Sequence, residues 1–222
     1  MGVLPIQPVH QQAATPGTLY TPRVEQLPFV VRAGAWAFRQ RSWLPVPLAL
    51  AVVLTTVGRA DGSWPTQLGS LLIGIGVLLR AAGVHHIGSI SRTRSATRLG
   101  PSLVTSGPFR FVRNPLYLGN WCIWSGLVLV SRLVWMLPVA WSMFALQYGT
   151  IVMWEETRLR ATFGQAYDRY KGSVPRWIPS WSSGERLQRA PHSWWEVAHS
   201  ERGTAVAIGA IVLLLALKAW RL

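Results

Sequence analysis

Apolar residues along this chain are gathered into blocks rather than spread at the spacing of a half-buried soluble helix. Blocks at 44–57, 68–84, 116–130, 133–154 and 204–220 predict five membrane spans, with lipid as the solvent. The first is short for a bilayer and carries Pro45 and Pro47 near its start, where a helix tolerates them. The second holds Ser70 and Gly74, small residues four apart that would let another helix approach closely. Only Ser131 and Arg132 separate the third from the fourth, so this pair reads as a helical hairpin, and Pro138 is expected to kink the fourth near its start. Ahead of the first span, 29–38 is apolar but broken by Arg32, with Trp36 and Trp43 on either side of Arg39 and Arg41. That pattern predicts an interfacial helix with Trp at headgroup depth.

The polar segments fill in the remainder. Residues 1–28 are rich in Pro, Gln and Thr, lack the pattern of a secretory signal, and read as a disordered tail. Gly58 to Pro65, with Asp61-Gly62, reads as a turn. Gly88 to Arg113 is too long for a simple turn, and its part up to Ser106 is a candidate lid. After Trp154 come an expected helix at 157–170, an extended stretch at 174–179 held by two prolines, and an interfacial helix at 184–199 anchored by Trp194-Trp195. No internal repeat is evident.

Composition agrees with a membrane protein. The chain of 222 residues has a formal charge of +14 with 13 Trp and only 8 acidic side chains. Such basicity can mark a nucleic-acid binder, but here the arginines flank apolar blocks, so no nucleic-acid partner is expected. Cys122, the only cysteine, lies within an apolar block, which rules out an internal disulfide and a cysteine-based metal site and predicts a small buried residue. Lys and Arg number 4 in the N-terminal segment, 5 between spans two and three, and 8 between spans four and five, against few in the opposite loops. The positive-inside rule then predicts a multi-pass integral membrane protein with the N-terminus and long loops cytoplasmic and the C-terminus outside.

Candidate chemistry sits in two stretches that bracket the hairpin. The first is Gly107-Pro108-Phe109-Arg110-Phe111-Val112-Arg113-Asn114-Pro115-Leu116-Tyr117-Leu118-Gly119. Pro115 marks a helix start whose free N–H groups favour an anion. Arg113 adds charge, Tyr117 follows one turn later, and Gly119 permits close approach of backbone or ligand. The second begins at Glu155-Glu156, expected at the C-terminus of the fourth span, where the helix dipole disfavours negative charge and a cationic group would relieve it. Both ends of the hairpin are expected to form one cytoplasmic pocket with an acidic and a basic wall. Arg80, His85 and His86 end the second span, where Arg80 either faces a cavity or snorkels to the interface.

These stretches in order, continued by Phe163-Gly164, Tyr167, Tyr170 and Val174-Pro175-Arg176, resemble the isoprenylcysteine carboxyl methyltransferase and phospholipid methyltransferase family over 103–179. The resemblance implies an all-α integral membrane enzyme that uses S-adenosylmethionine, with a catalytic core at 88–180, two spans and an interfacial helix at 29–87, and a last span at 181–222. It places Arg113 at the cofactor carboxylate and Glu155 or Glu156 at its ammonium or ribose. Asn114, Pro115, Tyr117 and Gly119 orient it, and Arg113, Glu156 and Arg169 are the candidate catalytic residues. Family members often have His where this chain has Asn114, which hydrogen-bonds but does not titrate near neutrality. The acceptor is expected to be a lipidic or prenylated molecule, a carboxylate or a phenolic hydroxyl. Arg80, Arg169 or Arg176 would hold its anionic group, and His86 would assist if the acceptor were a phospholipid amine. A membrane enone or sterol reductase is the rival, with Arg92, Arg94 and Arg98 available for nicotinamide phosphates, and a non-enzymatic scaffold or small transporter the third reading.

Overall fold

The computed structural model describes residues 27–55, 63–88, 102–181 and 192–220. The expected tail, the Asp61-Gly62 turn, most of the candidate lid with Arg92, Arg94 and Arg98, and the first half of the 184–199 helix lie outside the described residues. Within them the chain is all-helical: α1 (Phe29–Gln40), α2 (Val46–Leu54), α3 (Trp64–Ile87), α4 (Pro115–Val130), α5 (Leu137–Phe163), α6 (Gln165–Ser173) and α7 (Trp194–Trp220), with short 3-10 turns at Gly107–Arg110 and Val134–Met136.

Three stretches among the described residues are long and apolar enough to cross a membrane: Trp64–Ile87, Val134–Phe163 and Trp194–Leu217. Leu71 and Leu78 on α3, Leu146 on α5, and Val206 and Leu213 on α7 are exposed large apolar side chains of the kind lipid covers. Of the five spans expected from the apolar blocks, the first of them short, these three reach crossing length. α4 is apolar but shorter, and α2 has nine residues, about half of what a perpendicular crossing requires.

Helix ends follow proline chemistry. Pro47, Pro65, Pro115 and Pro138 all lie in the first turn of their helices, where the missing N–H costs no bond. Pro138 therefore starts α5 after the 3-10 turn and does not act as an internal kink. α5 runs on to Phe163, so Glu155 and Glu156 sit inside a helix rather than at its end, and the dipole conflict expected for them does not arise. Gly164, at φ +52°, breaks the helix where a separate 157–170 helix was expected to be under way, and α6 starts at once. The expected interfacial helix and last span are likewise joined: α7 is continuous from Trp194 through Trp220.

α3 and α4 pack most intimately, and the residues that permit it are not those the sequence suggested. Ser70 is exposed and bonds Thr66 O, and a Cβ on Gly74 would meet nothing within 4 Å. The close approach is made by Gly69, Gly76 and Gly83, seven apart, against Gly126, Gly119 and Leu116 of the antiparallel α4. A Cβ on Gly76 would lie 2.6 Å from Gly119 O, and one on Gly69 2.7 Å from Gly126 O. α1 lies against α5, with Gly34 beside Thr150 and the Phe38 and Trp154 rings 4.7 Å apart, while Arg32, Trp36 and Arg39 face outward. Cys122 is buried and free, as expected for its apolar block.

Candidate active site

The two motif stretches bind each other directly. Arg113 N donates to Pro175 O at 2.9 Å, Asn114 Nδ2 to Arg176 O at 3.1 Å, and Ser180 N to Phe111 O at 2.9 Å. Tyr170 adds a hydroxyl bond to Phe109 O at 2.7 Å, and Leu103, Tyr167, Tyr170 and Val174 form a small apolar cluster beneath. The 174–179 stretch, expected to be extended, instead bends at 174 and 176–178; it forms neither helix nor strand, which leaves its carbonyls free for these bonds. Asn114, at the position that precedes α4, makes no side-chain cap to its helix and serves instead as this cross-brace.

Glu156 is the electrostatic centre of the junction. Arg113 Nη1 approaches its Oε1 at 3.0 Å, Arg176 grips both oxygens at 2.9 and 2.7 Å, and Lys171 Nζ stands 3.9 Å away. The bond to Glu156 holds the Arg176 guanidinium pKa above its ordinary value. Tyr167 accepts from Arg113 Nη1 at 3.4 Å, and its phenol pKa is pushed up to about 12, first by burial and then by the Glu156 charge. Burial likewise pushes the Tyr170 phenol well up. Both hydroxyls therefore stay neutral through the physiological range. Arg113 Nε is buried with no partner among the described residues.

Glu155 points a different way. The Tyr117 hydroxyl, Arg41 and Arg158 are close enough to act on its charge. Arg158 is itself buried and lies over the Trp154 ring at 4.7 Å. These groups line one cavity of about 830 Å³. Its charged end carries Arg113, Asn114, Tyr117, Glu155, Tyr167 and Arg158, and its apolar arm is bounded by α2, α4 and α7 through Leu48, Val52, Leu127, Ile208 and Ile211. Three of the chain's 8 acidic residues, Glu155, Glu156 and Glu201, lie on it, which explains how so few acids mark the site. Against them stand Arg41, Arg80, Arg113, Arg158 and Arg202, so both signs of charge are present and the positive one prevails.

Of the residues singled out in the sequence, Arg113, Asn114, Pro115, Tyr117, Glu155, Glu156 and Arg80 all reach this cavity. Gly119 does not; its bare Cα receives Gly76 O and the Arg80 side chain across the α3–α4 contact. Arg176 braces Glu156 from outside the cavity lining, and Arg169 is exposed on α6. His86 bonds Ala82 O and packs its ring against Gly107, away from the lining. Arg80 is occupied by Glu201 at 2.7 and 2.9 Å and by Asn120 at 2.6 Å, so it is neither a snorkelling residue nor a free guanidinium. Sequence reasoning missed Arg41, Asn120, Tyr148, Arg158 and Glu201 as lining groups. For Arg158 a signal existed, since it falls one turn after Trp154 beside the two acids; for Glu201 none did, because its partner is 121 residues away.

Among known proteins, residues 64–166 match the phospholipid methyltransferase family. The cobalt-zinc-cadmium resistance protein CzcN of Cupriavidus metallidurans is 29% identical over 167 residues, 73% of this chain and 68% of that protein. The protein-S-isoprenylcysteine O-methyltransferase of Schizosaccharomyces pombe is 37% identical over 82 residues, 35% of this chain and about a third of that protein's length. No solved structure matches the chain. The match over 64–166 bears out the family resemblance drawn from the motif stretches.

Proposed function

We propose that this chain is an S-adenosylmethionine-dependent methyltransferase that acts within the membrane on a lipidic acceptor, its cavity opening to the cytoplasmic side. The observation that carries the reading is the single cavity in which the motif residues supply both signs of charge at one end and an apolar arm at the other. S-adenosylmethionine presents a carboxylate, an ammonium and a ribose diol, and the residues here suit it: the buried Nε of Arg113, without a partner among the described residues, is a ready donor for a carboxylate. Glu155 is the better candidate for the ammonium or ribose, because Glu156 is already neutralised by Arg113 and Arg176. Glu156 then acts by fixing Arg113. Asn114 fixes the 174–179 segment over the site without a titrating group, and so contributes no base.

When bound, the cofactor supplies an activated methyl group with a good leaving group already in place. What the protein has to add is alignment and exclusion of water. The aromatic wall of Tyr117, Trp124 and Tyr148 excludes water along one side, and the arm between α2, α4 and α7 would receive the acceptor's chain. The acceptor proposed is a carboxylate such as an isoprenylcysteine, or a phenolic lipid hydroxyl; Arg41 and Arg158, which line the cavity, replace Arg169 and Arg176 as the cations to hold it. The family match favours a second acceptor, a phospholipid amine. That amine would have to lose a proton, and Glu155, which lines the cavity as His86 does not, is the candidate to take it. The name of CzcN ties that relative to metal resistance, and no group of three potential metal ligands occurs among the described residues here.

A radiolabelled methyl-transfer assay on membrane lipid extract and on a prenylcysteine analogue tests the proposal. Labelled ester or ether is the expected product, labelled phospholipid amine would establish the second reading, and no labelled product from either would overturn both.

A further inference from the structure

Below the charged end of the cavity, a line of polar side chains crosses the bundle among apolar neighbours. Arg80 reaches Glu201 with Nε (2.7 Å) and Nη2 (2.9 Å), and its Nη1 donates to Asn120 Oδ1 at 2.6 Å. Asn120 Nδ2 then donates to the Tyr148 hydroxyl at 2.8 Å. The direction of this relay is dictated by chemistry. A guanidinium only donates, so the Asn120 amide must turn its oxygen to Arg80 and its NH₂ to Tyr148. The Tyr148 oxygen is thereby an acceptor, and its proton is left over. Among the described residues nothing is bonded to that proton, although Tyr148 is only 3% exposed and lines the cavity. Buried hydroxyls are ordinarily satisfied as donors as well as acceptors.

Tyr148 stands where the two parts of the cavity meet. On one side its ring packs on Tyr117, centroids 4.7 Å apart, whose hydroxyl is close to Glu155 at the charged end. On the other it meets Phe144 at 4.6 Å and Trp124 at 5.9 Å, towards the apolar arm. A lipidic acceptor with its chain in the arm would have its head group at this junction.

We propose that Tyr148 is a specificity-determining residue for the acceptor, its hydroxyl donating to an oxygen of the acceptor head group. Asn120, Arg80 and Glu201 are the positioning residues that fix the donor's direction. The inference rests on the methyltransferase reading and sharpens it: the site selects a head group with an oxygen to spare. A carboxylate keeps one oxygen on Tyr148 and leaves the other to be methylated, a phenolate has its single oxygen engaged, and an ammonium offers nothing to accept the bond. Glu201 lies on α7, beyond the region that matches the family, so this selection would be a property of this chain's own last helix.

The test uses two probes with the same chain and different heads, N-acetyl-S-farnesylcysteine and S-farnesylcysteamine, titrated without cofactor into purified protein. The wild type is expected to bind the carboxylate more tightly. Tyr148→Phe should weaken carboxylate binding about tenfold, the loss of one hydrogen bond to a charged group, and leave the amine unchanged. Asn120→Asp should do the same, because its carboxylate would accept the Tyr148 proton; should that variant fail to fold, Tyr148→Phe alone decides. S-adenosylhomocysteine affinity, measured in parallel, should not move with either change. Carboxylate binding indifferent to Tyr148, or an amine bound more tightly than the acid, overturns the inference while the methyltransferase reading stands. Tyr148-dependent carboxylate binding in a protein that never binds S-adenosylhomocysteine supports the role of Tyr148 and overturns the methyltransferase reading.

Discussion

A single carboxylate, Glu156, holds the junction of the two motif stretches by taking Arg113, Arg176 and Lys171 together. Glu156→Gln keeps the shape and removes the charge, leaving Arg113 with a weakened partner at a site where both side chains are about nine-tenths buried. The expected loss is about 1–3 kcal/mol of stability, read as a lower unfolding temperature in detergent, together with weaker S-adenosylhomocysteine binding as Arg113 loses its orientation. Tyr167 gives a pH signature. Its phenol pKa rises from 10.0 to about 12 on folding, so its contribution to stability is complete below pH 10 and is lost as pH climbs towards 12. Tyr167→Phe should flatten part of the fall in unfolding temperature between those values; a slope identical to wild type would contradict the burial of this group. Most of these residues were legible in the sequence because the motif is local, with Arg113 to Tyr117 consecutive in the chain and the two acids adjacent. Their pairing was not. Two acids beside each other read alike in sequence, and only the packing of the 174–179 stretch assigns Arg176 to Glu156 and leaves Glu155 to Tyr117.

Helices were legible where hydrophobicity and proline agree, as at Trp64–Ile87 and Pro115–Val130. Their lengths were harder to read, because α5 and α7 run past their apolar blocks into charged sequence, which hydropathy takes for an end. The choice of packing glycines failed for a related reason. A pair four apart satisfies a short-range rule, whereas Gly69, Gly76 and Gly83 repeat every seven residues along an antiparallel contact. Gly76→Val should push α3 and α4 apart and cost about 1–3 kcal/mol, while Gly74→Ala should be tolerated, since a Cβ there meets nothing. Equal unfolding temperatures for the two variants would show that the contact is not close. The same crossing carries Arg80 to Asn120, so Gly76→Val should also weaken binding of the carboxylate probe.

At the scale of the whole molecule, the charged end of the cavity, the end of α3, the start of α7 and the hairpin's open ends all lie together, and the positive-inside rule predicts that this end faces the cytoplasm. Single cysteines placed in a Cys122→Ala background test the orientation. Gly172→Cys on α6 should react with an impermeant maleimide only after the membrane is opened, and Ser63→Cys before α3 should react from outside; the reverse labelling would invert the topology. The apolar blocks made the membrane-spanning character of the helices readable from the sequence, while the shared cavity depends on contacts between α2, α4 and α7 that no local pattern announces. The central claim is that the cavity belongs to S-adenosylmethionine, and ligand-dependent thermal stability of the purified protein in detergent tests it most directly. S-adenosylhomocysteine should raise the unfolding temperature in a saturable way, Arg113→Ala should abolish the rise in a protein that still folds, and NADPH should have no effect. Stabilisation by NADPH with none by S-adenosylhomocysteine would contradict the account.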